Sequence, residues 1–108
     1  ENRKIFKDIM LYYVERDDVC NGEKMLNIFD EMEDLDIRAA RIYINVLKQD
    51  LQGMLQSLMD MYRILFPDNP FSIEKILEIQ GGLIEKKQEK ALELFQKSIK
   101  CFAEISTF

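Results

Sequence analysis

The chain has 108 residues, the size of one domain, with 47% hydrophobic and 32% charged residues. It has no histidine and two cysteines, which excludes serine–histidine and cysteine–histidine nucleophile pairs, histidine-ligated metals and a four-thiolate zinc site. Four glycines and two prolines are too few for the many tight turns of a sandwich or barrel. The expected class is therefore all-α: a single domain over 1–108, a bundle of about five helices with one long central helix.

The formal net charge is −5, from 15 basic and 20 acidic residues, and the sequence pI is near 4.8. Nucleic-acid binders draw most of their affinity from a basic face, so no nucleic-acid partner is expected. The acidity is concentrated. Between Glu15 and Asp36 stand nine acidic residues against Arg16 and Lys24, a local −7 that leaves +2 for the remainder. No run of 18 apolar residues exists, so no membrane insertion is expected. A start at Glu1 without a basic-then-apolar leader reads as a processed mature chain or an excised segment.

In chain order, Ile5, Phe6, Ile9, Met10, Tyr13 and Val14 share one helical face and predict a helix over about 2–15. Asp17-Asp18 and Asn21-Gly22 predict a turn. A shorter helix follows, with Met25, Leu26, Ile28, Phe29 and Met32 inward, and Asp36 is a candidate N-cap for the next. Ile37, Ala40, Ile44, Leu47, Leu51, Met54, Leu58, Met61 and Leu65 then alternate in steps of three and four. A second stripe (Tyr43, Val46, Met54, Leu55, Met59, Tyr62 and Phe66) widens the face. Together they predict one helix of about 30 residues, roughly 45 Å long, with Ile44, Leu47, Leu51, Leu55 and Leu58 as core or dimer contacts. Pro67-Asp68-Asn69-Pro70 ends it. Ser72 is a candidate N-cap for a helix carrying Ile73, Ile76, Leu77 and Ile79. Gly81-Gly82 predicts a break, and the last helix is expected over about 83–105, with Ala91, Leu94, Phe95, Ser98, Ile99, Phe102 and Ile105 inward.

Candidate chemistry fails on ligand positions. An EF-hand loop started at Asp17 gains Asn21 and Gly22 but has Val19 and Ile28 where oxygen ligands belong. Paired carboxylates such as Glu31 and Asp34 lie among like charges rather than in a cleft. No catalytic residue, metal or cofactor is expected, and the acidic belt reads either as a solvated face or as a landing surface for a basic partner. Glu89 to Phe95 resembles one tetratricopeptide helix, but such arrays need several units. Cys20 and Cys101 leave three arrangements open: one disulfide closing a loop of about 80 residues, free thiols, or intermolecular pairing. Tyr12 is the leading exposed aromatic.

The final helix carries a resemblance. Gln88-Glu89-Lys90-Ala91, with Glu93-Leu94 one residue early, resembles the Gln-x-Lys-Ala-x-x-Glu-Leu run of the interferon gamma family, and Phe102-Ala103-Glu104-Ile105-Ser106 is similar to that family's Met-Ala-Glu-Leu-Ser ending. Ala40-Arg41-Ile42-Tyr43, heading the central helix, resembles fish members. The family has six helices and a basic C-terminal tail, whereas five segments are counted here. Short-chain cytokines of the interleukin-2 and interleukin-15 type are the near alternative, on Ser98 to Phe102. The resemblance implies a secreted immune-signalling cytokine that binds and clusters cell-surface receptors as an intertwined homodimer, its central helix threaded through the mate. It places receptor contacts at Lys7, Met10 and Leu11 and in the loop holding Arg16, Asp17, Asp18, Asn21 and Glu23. The alternative reading is an intracellular or viral helical interaction module with free thiols in the cytoplasm.

Overall fold

A computed structural model describes residues 2–28 and 33–106. Among them are six α-helices: α1 (Asn2–Glu15), α2 (Val19–Ile28), α3 (Leu35–Leu47), α4 (Leu51–Leu65), α5 (Ile76–Glu85) and α6 (Glu89–Ile105). A single 3-10 turn, Ile73–Lys75, leads into α5, and no strand occurs among the described residues.

One turn design is used three times. α1, α3 and α5 each end on a residue in the left-handed region: Asp17 (φ 60°), Gln49 (φ 58°) and Lys87 (φ 57°). At each, two backbone N–H groups turn back onto the helix end: Asp17 to Val14 O and Asp18 to Tyr13 O, Gln49 to Val46 O and Asp50 to Asn45 O, Lys87 to Ile84 O and Gln88 to Leu83 O, all at 3.0–3.1 Å. This is the Schellman arrangement, which satisfies carbonyls a helix end leaves orphaned. The next helix starts at once, because Asp18 O, Asp50 O and Gln88 O accept from Gly22, Met54 and Leu92. The chain is thus three helical hairpins, each closed by three residues. A non-glycine residue in the left-handed region costs about 1–2 kcal/mol, which the two recovered hydrogen bonds offset.

The hairpin at Gln49 corrects the expected 30-residue helix. The apolar steps of three and four run unbroken from Leu47 through Leu51 to Met54, so periodicity alone hides the break. The polar triplet Lys48-Gln49-Asp50 marks it, and the Asp50 carboxylate caps α4 by accepting from Gly53 N at 2.9 Å. That cap explains the glycine: a Cβ on Gly53 would lie 2.6 Å from Asp50 Oδ2 and 3.1 Å from Asn45 Cγ. The reversal puts α3 and α4 side by side within one chain.

The central element is therefore α3, with nine of its 13 residues buried. α1, α2, α4 and α6 pack around it, and α5 packs on α4 and α6. Its apolar residues cover most of its circumference, and on the remaining strip Arg41 donates to Leu26 O of α2 and Asn45 to Ser57 of α4. Fully buried Ala39 and Ala40 let neighbouring helices approach closely. Tyr62, Phe95, Met10, Ile37, Ile44 and Leu94 fill the interior, and Arg38, 3% exposed, faces Asp60 at 3.7 Å.

Other expectations change as well. α3 is capped by Asp34 rather than Asp36: Asp34 Oδ1 accepts from Asp36 N and Ile37 N at 2.9 and 3.2 Å. Asn21-Gly22 lies inside α2 and Gly81-Gly82 inside α5. The α1–α2 link shrinks to Arg16–Asp18, and α6 begins at Glu89. Gly22 reads as a turn by sequence but works as a packing residue, since a Cβ there would meet Ile44 Cδ1 at 3.2 Å. Ile44 and Leu58 are buried and Leu47 and Leu55 half-buried, but Leu51 is 58% exposed, on the first turn of α4. Phe29 and Met32 lie outside the described residues, and Ile28, expected inward, is exposed.

Candidate partner-binding surface

Among the described residues of the acidic belt, most carboxylates are paired within the chain. Glu15 pairs with Lys90 of α6 and Glu23 with Lys48 at the end of α3. Asp17 accepts from the Tyr43 hydroxyl at 2.5 Å and lies 3.7 Å from Lys97 Nζ. Asp34 and Asp36 hold Lys7 at 2.8 and 3.0 Å. These pairs join the first hairpin and the start of α3 to α3 and α6 across long sequence separations. Exposed ion pairs contribute about 0–1 kcal/mol each, so their consequence is orientation more than stability.

Several groups titrate accordingly. Burial lowers the Lys7 ammonium, but hydrogen bonds to Asp34 and Asp36 outweigh it and hold it above its ordinary value. The hydrogen bond from Lys90 to Glu15 raises Lys90. Burial, then the hydrogen bond to Asp17, push the Tyr43 phenol well above the usual tyrosine range. Asp18 is lowered by hydrogen bonds from the Asn21 side chain and backbone, at 2.9 and 3.1 Å. Lys97 also lies 4.9 Å from the Tyr43 ring centroid, so Tyr43 is clamped between α1–α2 and α6.

The residues assigned to receptor contact by resemblance therefore divide. Met10 is fully buried, which removes it as a surface contact, and Leu11 is half-buried against the core. Lys7, Asp17 and Glu23 are engaged within the chain. Asp18 and Asn21 form the capping turn of α2. Arg16 is exposed, with its guanidinium 3.7 Å above the Tyr12 ring and Nη1 donating to Tyr12 O at 3.2 Å.

A different face of α1 is open. Ile5 is 55%, Phe6 46%, Ile9 38% and Tyr12 52% exposed. Ile5, Ile9, Tyr12 and Arg16 follow steps of four, three and four along the side opposite Met10 and Val14, the helix's buried residues. By sequence Ile5, Phe6 and Ile9 share one apolar face with Met10 and Val14; the arc is wider than one core contact, and periodicity does not say which half turns in. Tyr12, expected to be exposed, is. A second open stripe runs along the last hairpin: Ile73, Leu77 and Ile84 are each more than half exposed, and Gly81 between them has no neighbour within 4 Å of a Cβ position.

An apolar recess of about 230 Å³ lies where α3, α4 and α6 meet, lined by Val46, Leu51, Met54, Phe102 and Ile105 with Asn45 and Asp50 at its edge. Cys20 is an exposed free thiol on α2, and Cys101 a half-buried free thiol on α6, raised by burial and by Glu104 and Asp17. Among the described residues no group of three or more cysteines or carboxylates is arranged to hold a metal ion, and no helix is long and apolar enough to cross a membrane. No protein-family model matches the chain, and no curated protein or solved structure matches it.

Proposed function

We propose that this chain is a helical cytokine of the interferon gamma type, secreted, without enzymatic activity, that acts by binding and clustering cell-surface receptors. The observation that carries the reading is the pair of open apolar helix faces, one on α1 and one on the Ile73–Ile84 stripe. They belong to helices that pack on different partners, α1 on α2 and α3, α5 on α4 and α6. Exposed apolar helix faces mark protein-docking surfaces. A molecule that brings receptor chains together needs more than one. Among the described residues there are six helices, the central third and five others, and the family the last helix resembles has six.

In this reading the stripe of Ile73, Leu77 and Ile84 meets the receptor. Labelled protein should bind leukocytes saturably and be displaced by unlabelled protein. Leu77→Asp, at an exposed position, should weaken that binding at least tenfold with helicity unchanged. Binding that never saturates, or that ignores Leu77→Asp and Ile84→Asp together, overturns it. A second reading, an intracellular helical interaction module, is favoured by one observation: both cysteines are free, as a reducing compartment keeps them.

A further inference from the structure

We infer that the apolar recess between α3, α4 and α6 binds a small organic amine, an ammonium group carried on an apolar body the size of one aromatic ring. The volume of the recess, about 230 Å³, exceeds the roughly 150 Å³ of an engineered apolar cavity that holds benzene. Its walls are Val46, Leu51, Met54, Phe102 and Ile105, so the body of the occupant is apolar. Its polar groups decide the head group. Asp50 is the one charged side chain that lines it, so the formal charge at the recess is negative. Asp50 Oδ1 accepts from Gly53 N at 2.9 Å, and among the described residues no lysine or arginine pairs with this carboxylate. Lys48, two residues away in the turn, is engaged by Glu23 and supplies no counter-charge.

The neutral polar lining also calls for a donor. Asn45 donates from its amide nitrogen to Ser57 Oγ at 3.0 Å, which leaves its carbonyl oxygen as an acceptor. Ser106 donates its hydroxyl to Ala103 O at 3.3 Å and keeps its own lone pairs. Gln49 is neutral and exposed. Asp50 Oδ2 and Asn45 Cγ lie 2.6 and 3.1 Å from one point, the Cβ position of Gly53, so the carboxylate and the amide stand side by side. The helix ends agree in sign. The recess lies at the C-terminal ends of α3 and α6, where backbone carbonyls carry partial negative charge. The N-terminal end of α4, which opposes them, is already met by its Asp50 cap. An ammonium supplies three donors and a positive charge, whereas a carboxylate or phosphate would bring more acceptors and a second negative charge.

The recess shares no lining residue with the Ile73–Ile84 stripe, so the amine site stands or falls apart from the receptor reading. The test is titration of isotope-labelled protein with phenethylamine, phenethyl alcohol and hydrocinnamate near neutral pH, followed by backbone amide shifts in nitrogen–proton correlation spectra. The three carry the same ring and differ in head-group charge, and the amine is an ammonium at that pH. The amine should shift Leu51, Met54, Ile105 and Ser106 saturably, with a Kd in the low-millimolar range. It should bind at least about fivefold tighter than the alcohol, and tighter still than the carboxylate. Sodium chloride at about 0.5 M should erase most of that preference. Asp50→Asn retains the cap of α4, because asparagine caps as well as aspartate, and should bind amine and alcohol alike. Asp68→Asn, at an exposed carboxylate outside the recess, should keep the preference. Equal affinity for amine and alcohol in wild type overturns the inference, as does an undiminished preference in Asp50→Asn. An amine that gives no saturable shift by about 20 mM, or that shifts only amides away from the recess, overturns it too.

Discussion

Replacing Met10 and Ile9, neighbours on α1, should have opposite consequences. The resemblance placed Met10 in a receptor contact, and the apolar pattern placed Ile9 on one face with it. The structure separates them, with Met10 fully buried and Ile9 38% exposed. Met10→Ala removes three heavy atoms, worth about 2–2.5 kcal/mol of transfer free energy at ~0.8 kcal/mol per methylene-sized group. It also leaves a cavity of about 60 Å³, adding roughly 1.5 kcal/mol at ~24 cal/mol per Å³ if the site does not collapse. The expected loss is about 3–4 kcal/mol, a large share of the 5–15 kcal/mol of an ordinary domain, and a fall in Tm of about 10–15 °C. Ile9→Ala should cost under about 0.5 kcal/mol in monomeric protein, the usual figure for a surface position. Urea unfolding followed by far-ultraviolet circular dichroism at low protein concentration measures both. A Met10→Ala cost under about 1 kcal/mol, with a larger one for Ile9→Ala, would mean that α1 is turned about its axis and that its open face is wrongly assigned.

Leu51→Asp, which the continuous-helix expectation would make ruinous, should change stability by under about 0.5 kcal/mol, whereas Leu58→Ala should cost about 2–5 kcal/mol; both read from the same urea curves. Tyr43→Phe should cost about 1 kcal/mol by removing the hydroxyl from Asp17. The raised Tyr43 and Lys7 values also give a sign for pH. Their contributions are fully present below the unfolded values near 10 and 10.4 and are lost as pH rises through the higher folded ones. Thermal scans should therefore show Tm falling above about pH 10, with a smaller fall in Tyr43→Phe. A thiol reagent should modify Cys20 quickly and Cys101 slowly in native protein, since Cys101 is half-buried and its thiol is raised; equal rates would contradict the placement of α6.

What the sequence makes legible follows from which physical signals are local. The helical class and the ends of α1 are readable because apolar spacing and turn residues lie next to one another in the chain. The break at Gln49 is not, since its three-residue turn keeps Leu47 and Leu51 four apart and uses a left-handed glutamine where glycine is the usual signal. Conversely, Gly22 and Gly81-Gly82 read as breaks, yet lie inside helices; two of them, Gly22 and Gly82, are there for close approach. The acidic belt is legible as a charge and not as a role. Its partners Lys48, Lys90 and Lys97 stand 25 to 80 residues away, and only the folded chain brings them to Glu23, Glu15 and Asp17. The same holds for α1: its apolar arc is legible, but not which part of it the core covers and which part stays open.

The central claim is that α1 turns its Ile5–Ile9–Tyr12 face away from its own core and buries Met10 instead. Urea unfolding of Ile9→Asp beside Met10→Asp tests it most directly. The account predicts an Ile9→Asp protein as helical as wild type and within about 1 kcal/mol of its stability, and a Met10→Asp protein that fails to fold, because it buries an unpaired charge. An Ile9→Asp protein that unfolds, or a Met10→Asp protein as stable as wild type, would contradict it.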